Sequence, residues 1–427
     1  MKKVILFIIF IVTTFAVKAQ SYDVKIEKLS KEIEAKVIEW RRHFHENPEL
    51  SNREFNTAKY IADHLKKLGI KVQEGVAKTG VVGVLKGKKP GKVVALRADI
   101  DALPVTERND LPFKSNVKSN FLGKDVGVMH ACGHDTHIAI LMGVAEILSK
   151  NKKHIKGTIK FIFQPAEEGA PQGEEGGAEL MVKEGVLKNP DVDAIFGLHI
   201  SSITPVGHIA YKKGGIMAAS QSFKIIVNGK QSHGSRPWSG IDPIMISAKI
   251  IDGLQTIISR EMELTKEAAV ITVGKIDSGV RSNIIPEKAE MIGTIRTLDY
   301  DMQKQINKRM KEMVPAIAKA YNATASIEIE KGYPITFNNF ELTDKMLPTL
   351  KKHTDPENVH DIKAVTGAED FSFFQKEIPG LYFFLGGKTL GNTKPYPHHT
   401  PDFFIDESGM LLGVKTMTQL ALDYLNN

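Results

Sequence analysis

Apolar runs of strand length alternate with helical segments through the first two hundred residues, and this alternation most restricts the fold. Helical spacing of apolar residues covers residues 25–47 and 53–69, and a third helical stretch reads "HIAILMGVAEILSKNK". The strand-like runs are "VVGVLKG", "KVVALRADID", "TIKFIFQPAEEG" and "DAIFGLHI". Strands that alternate with helices are typical of an α/β fold, so we predict a central sheet flanked by helices.

The pattern changes near residue 212. A strand "SQSFKIIVNGK" is followed by a helix from about Pro243 to Arg260, two strands, a helix from about Tyr300 to Ala320, and the strand "TASIEIEKG". This β-α-β-β-α-β order is that of a ferredoxin-like α+β unit. Short strands and a final helix follow, so we predict that residues 212–332 are inserted into one domain made of residues 20–211 and 333–427.

The first 19 residues have the pattern of a signal peptide. Lys2 and Lys3 precede an apolar run from Val4 to Val17, and small residues follow where signal peptidase cleaves. An uncleaved membrane anchor is the alternative, but the run is shorter than the roughly 20 residues of a spanning helix. We expect a mature chain that begins at Gln20 and is periplasmic or secreted, with no membrane contact after cleavage.

Charge and composition argue against a nucleic-acid partner. The 427 residues are 42% hydrophobic and 25% charged, which is ordinary for a globular chain of two or three domains. The formal net charge is +7, and the predicted signal peptide contains three lysines and no acid, which leaves +4. The cluster "KGKKPGK" lies between strand-like runs, where a solvated turn is the better interpretation.

The segment "MHACGHDTH", residues 129–137, concentrates three histidines, an aspartate and the only cysteine of the chain. A lone cysteine in an exported chain cannot form an internal disulfide, so Cys132 is a small buried hydrophobe, a residue disulfide-linked to another chain, or a metal ligand. Such groups are costly to bury unpaired, so the segment is either solvated or compensated by a metal.

Polar residues also follow the ends of the buried strands, where open α/β sheets bind ligands. Each has a simple structural interpretation alone, but together with Cys132 they offer thiolate, imidazole and carboxylate, the ligands of zinc and manganese sites. These residues are Asp99, Asp101, Glu167, Glu168, His199, His398 and His399.

A series of ordered motifs closely resembles the aminoacylase and hippurate-hydrolase family of dimetal amidohydrolases, which includes auxin-conjugate hydrolases. The motifs are "RRHFHENPELSNREFNTA", "RADIDALPVTE", "MHACGHDTH", "FQPAEEG", "GLHI", "SNIIPE", "GTIRTL", "GAEDFSFF" and "HHTPDFFIDE". The resemblance implies a zinc-exopeptidase-like catalytic domain with a mixed sheet, and an inserted lid through which the protein forms a homodimer. It also implies two divalent metal ions, of zinc, manganese, cobalt or nickel.

The resemblance assigns roles to individual residues of the catalytic domain. Glu167 becomes the general acid/base, and Asp99 a residue that orients a ligand histidine. His399 is preferred to His398 because the family places its ligand two residues before a proline, here Pro401. The implied metal ligands are Cys132, His134, Glu168, His199 and His399.

In the inserted unit, His233 resembles a catalytic histidine that reaches the active site, in relatives from the partner subunit, and polarises the scissile carbonyl. Asn283 and Arg296 resemble positions that hold the substrate. For Arg296 an exposed strand cation is an equally good interpretation.

Two departures from the family pattern leave substrate preference open. The stretch "EEGAPQGEEGGA" inserts several residues after Glu168. The lid carries Ser232, Arg236 and Trp238 where relatives often have a glycine, a small residue and a histidine.

We therefore expect metal-dependent hydrolysis of the amide bond of small N-acyl amino acids, hippurate-like or N-acetylated, to a carboxylate and an amino acid. One alternative is a dipeptidase or exopeptidase of the same fold. A second, of a different class, is a non-catalytic metal- or ligand-binding protein, which would have no use for an unligated Glu167.

Overall fold

The computed structural model describes residues 25–391, 394 and 396–426, so the predicted signal peptide lies outside the described residues. Helices and strands alternate up to residue 213, as expected. The elements, in chain order, are α1 (residues 25–46), α2 (Phe55–Lys67), β1 (Lys71–Val76), β2 (Gly80–Lys86), β3 (Lys89–Asp99), β4 (Lys118–Phe121), β5 (Lys124–Gly127), α3 (His134–Lys150), β6 (Lys156–Gln164), α4 (Gly177–Lys183), β7 (Ala194–Pro205) and β8 (Ile209–Tyr211).

The middle of the chain is richer in strands. Its elements are β9 (Gly214–Met217), β10 (Ala219–Asn228), β11 (Ser232–His233), α5 (Pro243–Thr256), β12 (Ala269–Ser278), β13 (Ile284–Ile285), β14 (Lys288–Thr297), α6 (Tyr300–Ala320) and β15 (Thr324–Ile329). The last part of the chain contains β16 (Thr336–Asn338), α7 (Phe340–Leu350), β17 (Val359–Asp361), α8 (Ser372–Glu377), β18 (Gly380–Lys388) and α9 (Met410–Asn426).

Eight strands form one mixed sheet in the order β1-β2-β6-β3-β7-β18-β8-β17. The centre of the sheet is parallel, because β3 runs parallel to both β6 and β7, and β7 runs parallel to β18. The pairs β1–β2, β2–β6 and β8–β18 are antiparallel. The predicted α/β fold with a central mixed sheet is confirmed.

The two-residue period of the central strands separates apolar from polar side chains. Leu96 of β3, Phe161 of β6 and Phe196 of β7 enter a core to which helices α1, α2, α3 and α9 also contribute. Asp99 and His199 lie an odd number of positions from these residues, so they belong to the other face of the sheet. The fold thereby brings two buried polar side chains to one side without placing them in the apolar core.

The chain divides into two compact units. The second unit comprises Gly214–Phe337 and Lys363–Ser372, and the remaining described residues form the first. The sequence analysis ended the inserted unit at residue 332 and assigned residues 363–372 to the catalytic domain. Long-range backbone hydrogen bonds explain the difference, because Val365 N donates to Ile216 O and Ala218 N donates to Gly367 O.

Within the second unit, β10, α5, β12, β14, α6 and β15 follow in the predicted ferredoxin-like order. Their four strands form an antiparallel sheet in the order β12-β14-β10-β15. Helices α5 and α6 pack on it and share a second apolar core that includes Phe223, Ile250 and Ile306. The function of this unit as a lid stays a prediction.

Among the described residues, no helix combines the length and the apolar character needed to cross a bilayer.

Gly133 shapes the start of α3, the helix that follows the cysteine of "MHACGHDTH". Its φ is +90°, in the left-handed region that disfavours residues with a Cβ. A Cβ atom built there would lie 2.3 Å from Cγ2 of Ile200 in β7. Only glycine therefore lets the segment with Cys132 and His134 lie directly against β7.

Replacing Gly133 with alanine should destabilise the protein through both effects. The left-handed conformation costs about 1–2 kcal/mol, and overpacking against Ile200 adds roughly 1–3 kcal/mol. Gly123→Ala is the matched control, because Gly123 has a φ of +78° but open space around it. Denaturant unfolding of both variants should show a clearly larger loss for Gly133→Ala; equal losses would contradict the close contact with β7.

Candidate metal centre

Two groups of potential metal ligands meet at Cys132. One contains Cys132, His134 and His199, the other Cys132, Glu168 and His399, and the ligand atoms within each group lie within 4.8 Å of one another. The Cys132 Sγ lies 3.4 Å from Nε2 of His199 and 3.2 Å from Nε2 of His399. Because both groups share its sulfur, a thiolate at Cys132 is placed to bridge two cations.

Different elements supply these five side chains. Cys132 precedes α3, His134 is the first residue of α3, and His199 lies in β7. Glu168 occupies the turn after β6, and His399 lies in the segment between β18 and α9. The His399 N–H donates to Ala131 O at 2.8 Å, which ties that segment to the cysteine. The structure thus brings all five predicted ligands together.

Hydrogen bonds orient two of the histidines for metal binding. The Nδ1–H of His134 donates to Asp101 O at 2.9 Å, and the Nδ1–H of His199 donates to Ile200 O at 2.7 Å. Each bond leaves the Nε2 lone pair facing the cluster, as is usual for ligand histidines. The buried Nε2 of His134 has no hydrogen-bond partner among the described residues, which fits a site for a cation.

His398 has a different arrangement from its neighbour His399. Its Nε2 accepts a hydrogen bond from Ser202 N at 3.2 Å, so the neutral ring carries its proton on Nδ1. That Nδ1 lies 3.7 Å from Cys132 Sγ, where it can act as a donor rather than a ligand. Burial lowers the pKa of His398 to about 3, which keeps the ring neutral. These contacts support the choice of His399 as the ligand.

The electrostatics of the cluster favour cations. Burial, followed by the negative charge of Glu168, raises the pKa of the Cys132 thiol well above its usual value. Burial disfavours protonation of His134, but the charge of Asp99, together with the hydrogen bond and charge of Asp101 and the charge of Glu168, outweighs burial and raises the pKa of His134 to about 10. A divalent cation would neutralise the carboxylates and deprotonate the thiol. The residues present therefore fit metal ions well.

Asp99 faces the predicted ligand His134, with its Oδ2 3.8 Å from Nε2 of that residue, but its hydrogen bonds are to other side chains. Its Oδ1 accepts from Nδ1 of His137 at 2.5 Å, and its Oδ2 accepts from Arg97 at 2.7 Å. His137 in turn accepts from Ile200 N at 2.8 Å. The backbone carbonyl of Asp101 orients His134 instead. The difference arises because a backbone acceptor can come from any residue type, so no side-chain motif specifies it.

Glu54 is a contact of the site that was not predicted from the sequence, and Asp101 was predicted only as one of the polar residues at the strand ends. The Asp101 carboxylate accepts hydrogen bonds from the backbone N–H groups of Glu167 and Glu168. Glu54 accepts from Ala166 N. Two sequence signals could have drawn attention to them, since Asp101 belongs to the strand-end motif "RADIDALP" and Glu54 to "SNREFNTA".

The predicted substrate residues lie in the second unit. His233 of β11 and Asn283 are exposed and adjacent, because Gly234 N donates to Asn283 O at 2.8 Å and His233 pairs with Ile284 of β13. Arg296 is half-buried on β14, and burial lowers its pKa. The structure therefore places two of the three residues together and Arg296 on the four-stranded sheet.

The insertion after Glu168 is anchored to the start of α2. Glu174 forms ion pairs with Arg53 at 2.6 Å and Lys78 at 2.5 Å, and accepts a hydrogen bond from Asn52 at 3.0 Å. Hydrogen bonds from Arg53, Lys78 and Asn52 lower the pKa of Glu174, so the carboxylate stays charged. The insertion is thus tied to the catalytic unit by side-chain contacts.

A model of the family described as peptidase family M20/M25/M40 matches residues 95–423. The chain belongs to this family. Thermostable carboxypeptidase 2 of Saccharolobus solfataricus is 47% identical over 94% of this chain and 99% of its own length. The N-acetyl-L-cysteine deacetylase of Bacillus subtilis is 36% identical, over 92% of this chain and 88% of its own length.

A solved M20 structure has a similar fold. The Bacillus subtilis YxeP protein, described as a dinuclear metal-binding peptidase of the M20 family, matches with a TM-score of 0.78 and 34% identity. The match covers 93% of this chain and 99% of that one. Family membership makes the chain a metal-dependent amidohydrolase, so the alternative of a non-catalytic binding protein is set aside.

The shared sulfur predicts how single substitutions change metal binding. Cys132→Ala should weaken the binding of both metal ions, each by more than about tenfold, because both groups lose a ligand. His399→Ala should weaken the binding of only one metal ion. His398→Ala is the matched neighbour and should retain both ions. Calorimetric titration of metal-free protein with Mn²⁺ or Zn²⁺ measures this; loss of an ion in His398→Ala but not in His399→Ala would reverse the two roles.

Proposed function

We propose that this chain hydrolyses the amide bond of small N-acyl amino acids, using two divalent ions of zinc, manganese, cobalt or nickel. The observation that carries the proposal is the pair of ligand groups that share Cys132. Glu168 belongs to the group with Cys132 and His399, whereas its neighbour Glu167 is not part of either group that contains the sulfur. Glu167 forms a further group with His134 and Glu168, which places it beside the metal ligands, and we assign it proton transfer because the groups that contain the sulfur include only Glu168.

Divalent ions held by these residues supply Lewis acidity to a water molecule and to the amide carbonyl. Glu167 then accepts the proton of the attacking water and returns it to the leaving nitrogen. Its Oε2 lies 3.9 Å from Nε2 of the predicted ligand His134, so the carboxylate faces the metal groups. Glu167 is 6% exposed, and this exclusion of bulk water favours a directed proton transfer.

A second candidate is a carboxypeptidase or dipeptidase activity at the same site. The 47% identity to a protein named a carboxypeptidase favours it. The 36% identity to a protein named a deacetylase of an N-acetylated amino acid favours the first candidate. The two activities differ in whether the acyl side of the amide carries a free amine. Hydrolysis of hippurate compared with a simple dipeptide separates them.

We also propose an exported homodimer in which the second unit acts as the lid. Residues 1–19 support export through their lysine, apolar and small-residue pattern. His233 and Asn283 support a substrate role, because both are exposed and lie side by side in the second unit. In this proposal His233 polarises the carbonyl, while Asn283 and Arg296 help to hold the carboxylate of the substrate or its carbonyl.

Matched amide variants separate the roles of the two acids. Glu167→Gln keeps the shape of the side chain but removes the proton acceptor, so metal content should survive while kcat falls by roughly 10²–10⁴-fold. Glu168→Gln removes an anionic ligand and should lower metal occupancy as well as kcat. Elemental analysis beside turnover of a panel of N-acyl amino acids measures both.

Two outcomes would contradict these roles of Glu167 and Glu168. If Glu167→Gln loses metal and Glu168→Gln keeps it, the roles are reversed. If both variants hydrolyse the panel at the wild-type rate, the cluster is not the catalytic site.

Complementation tests the action of His233 across a dimer. His233→Ala should lower kcat without loss of metal, because His233 is not among the predicted ligands. Mixed dimers of a His233→Ala chain with a Glu167→Ala chain should regain part of the activity, since one site then has both groups. Absence of recovery in dimers whose mixing is verified by mass spectrometry would argue that His233 acts within its own chain.

A further inference from the structure

Two buried carboxylates hold the backbone of the catalytic acid pair. Ala166 N donates to Oε1 of Glu54 at 2.9 Å. The next two N–H groups, of Glu167 and Glu168, donate to Oδ1 and Oδ2 of Asp101 at 3.1 and 3.0 Å. Three consecutive amides of a turn outside any helix or strand are therefore bound by side chains. The conformation of the acid pair depends on these contacts rather than on secondary structure.

The turn adopts an unfavourable conformation that needs such support. Ala166 has a φ of +52°, in the left-handed region that disfavours residues with a Cβ. Conformations of this kind persist only where surrounding contacts hold them, and they are concentrated at functional sites. Glu54 supplies the acceptor for the amide of this same residue. Glu54 is therefore positioned to hold Ala166 in this disfavoured backbone conformation.

Glu54 is itself held in place. Its Oε2 accepts a hydrogen bond from the Thr79 hydroxyl at 2.6 Å, and the side chain is fully buried at the start of α2. Burial, and then repulsion by Asp101, raises the pKa of Glu54 to about 8. A protonated Glu54 still offers Oε1 as an acceptor to Ala166 N, so this contact does not require the charged form.

Asp101 connects the acid pair to a predicted metal ligand. Its backbone oxygen accepts from Nδ1 of His134, and its Oδ1 lies 3.3 Å from the same nitrogen. The Ser51 hydroxyl donates to Oδ2 at 2.7 Å and fixes the other side of the carboxylate. One residue thus contacts a ligand histidine and both acids, so it can set the distance between them.

We propose that Glu54 and Asp101 are positioning residues that fix the turn of Ala166, Glu167 and Glu168, and thereby aim the two catalytic carboxylates. The inference rests on the proposed roles of Glu167 and Glu168. It assigns neither Glu54 nor Asp101 a contact with substrate.

Substitution of Glu54 separates positioning from general stability. Glu54→Met keeps a similar volume but removes the acceptor for Ala166 N, so kcat should fall about 10–100-fold, as expected when a catalytic group is displaced. KM should stay within about twofold, and two metal ions should still bind. Glu54→Gln can still accept from Ala166 N and donate to Thr79, so it should restore most of kcat.

Glu49→Met is the matched control. Glu49 also accepts backbone N–H bonds, from Asn56 and Thr57 at the start of α2, but it has no contact with the acid pair. This variant should lose thermal stability while its kcat remains that of the wild type. If Glu54→Met and Glu49→Met have the same kcat, the positioning role is refuted.

Hydrogen exchange tests the inference without using activity. In Glu54→Met the amides of residues 166–168 should exchange at least tenfold faster than in the wild type, whereas Glu49→Met should leave them unchanged. Unchanged exchange in Glu54→Met would overturn the inference even if kcat falls. Should the wild type hydrolyse none of the N-acyl amino acids, the proposed function fails, and the exchange result still decides whether the two carboxylates hold the turn.

Asp101→Asn provides the second variant if Glu54→Met does not fold. Asparagine replaces one acceptor with an N–H₂ donor that faces a backbone N–H group. Faster exchange at residues 167–168, together with a lower kcat that Glu49→Met does not show, supports the inference. Wild-type exchange and kcat in this variant overturn it.

Discussion

The metal centre depends on a cluster of buried carboxylates, whose negative charge must be compensated by cationic groups. Asp99, Asp101 and Glu167 are all at least 94% buried within one cluster, since none is more than 6% exposed. The buried guanidinium of Arg97 donates a hydrogen bond to Asp99. The negative charge around His134 raises the pKa of that histidine. Uncompensated carboxylates are costly in a low-dielectric interior. Metal binding and the stability of this part of the fold are therefore linked.

The scaffold meets this demand by separating charge from the apolar core. Alternation along β3 and β7 sends Leu96 and Phe196 to the helical side of the sheet and Asp99 and His199 to the other. The glycine before α3 lets the cysteine segment lie against β7. Because four segments of the first unit meet at one edge of the sheet, two ligand groups with members from distant parts of the sequence share one sulfur atom.

Relatives of this chain carry different names, among them a carboxypeptidase and a deacetylase of an N-acetylated amino acid. The sequence resemblance leads us to expect two parts of this chain to depart from the family pattern. The insertion after Glu168 is tied by Glu174 to Arg53 and Lys78, which makes it a constrained segment rather than a free loop. In the second unit Trp238 is 80% exposed, a large apolar surface that a bound molecule could cover.

The sequence alone indicated the fold class, the order of the main helices and strands of both units and, through the family resemblance, the residues that gather around Cys132. These follow from local information, because strand and helix periods and compact motifs are properties of short segments. It could not determine that Lys363–Ser372 joins the second unit, or that Asp99 hydrogen-bonds His137 while lying 3.8 Å from the predicted ligand His134. Those facts depend on which segments meet in space.

The positioning of the acid pair shows most clearly what the sequence determines and what only the tertiary structure decides. "FQPAEEG" identifies Glu167 and Glu168, but nothing in it indicates how the turn is held. The contacts come from Glu54, 112 residues away from its partner, and from Asp101, 66 and 67 residues away from its partners. A carboxylate that accepts a backbone N–H bond leaves no pattern in its partner's sequence, because every residue except proline offers the same donor. Only the tertiary structure could therefore decide which acids hold the turn.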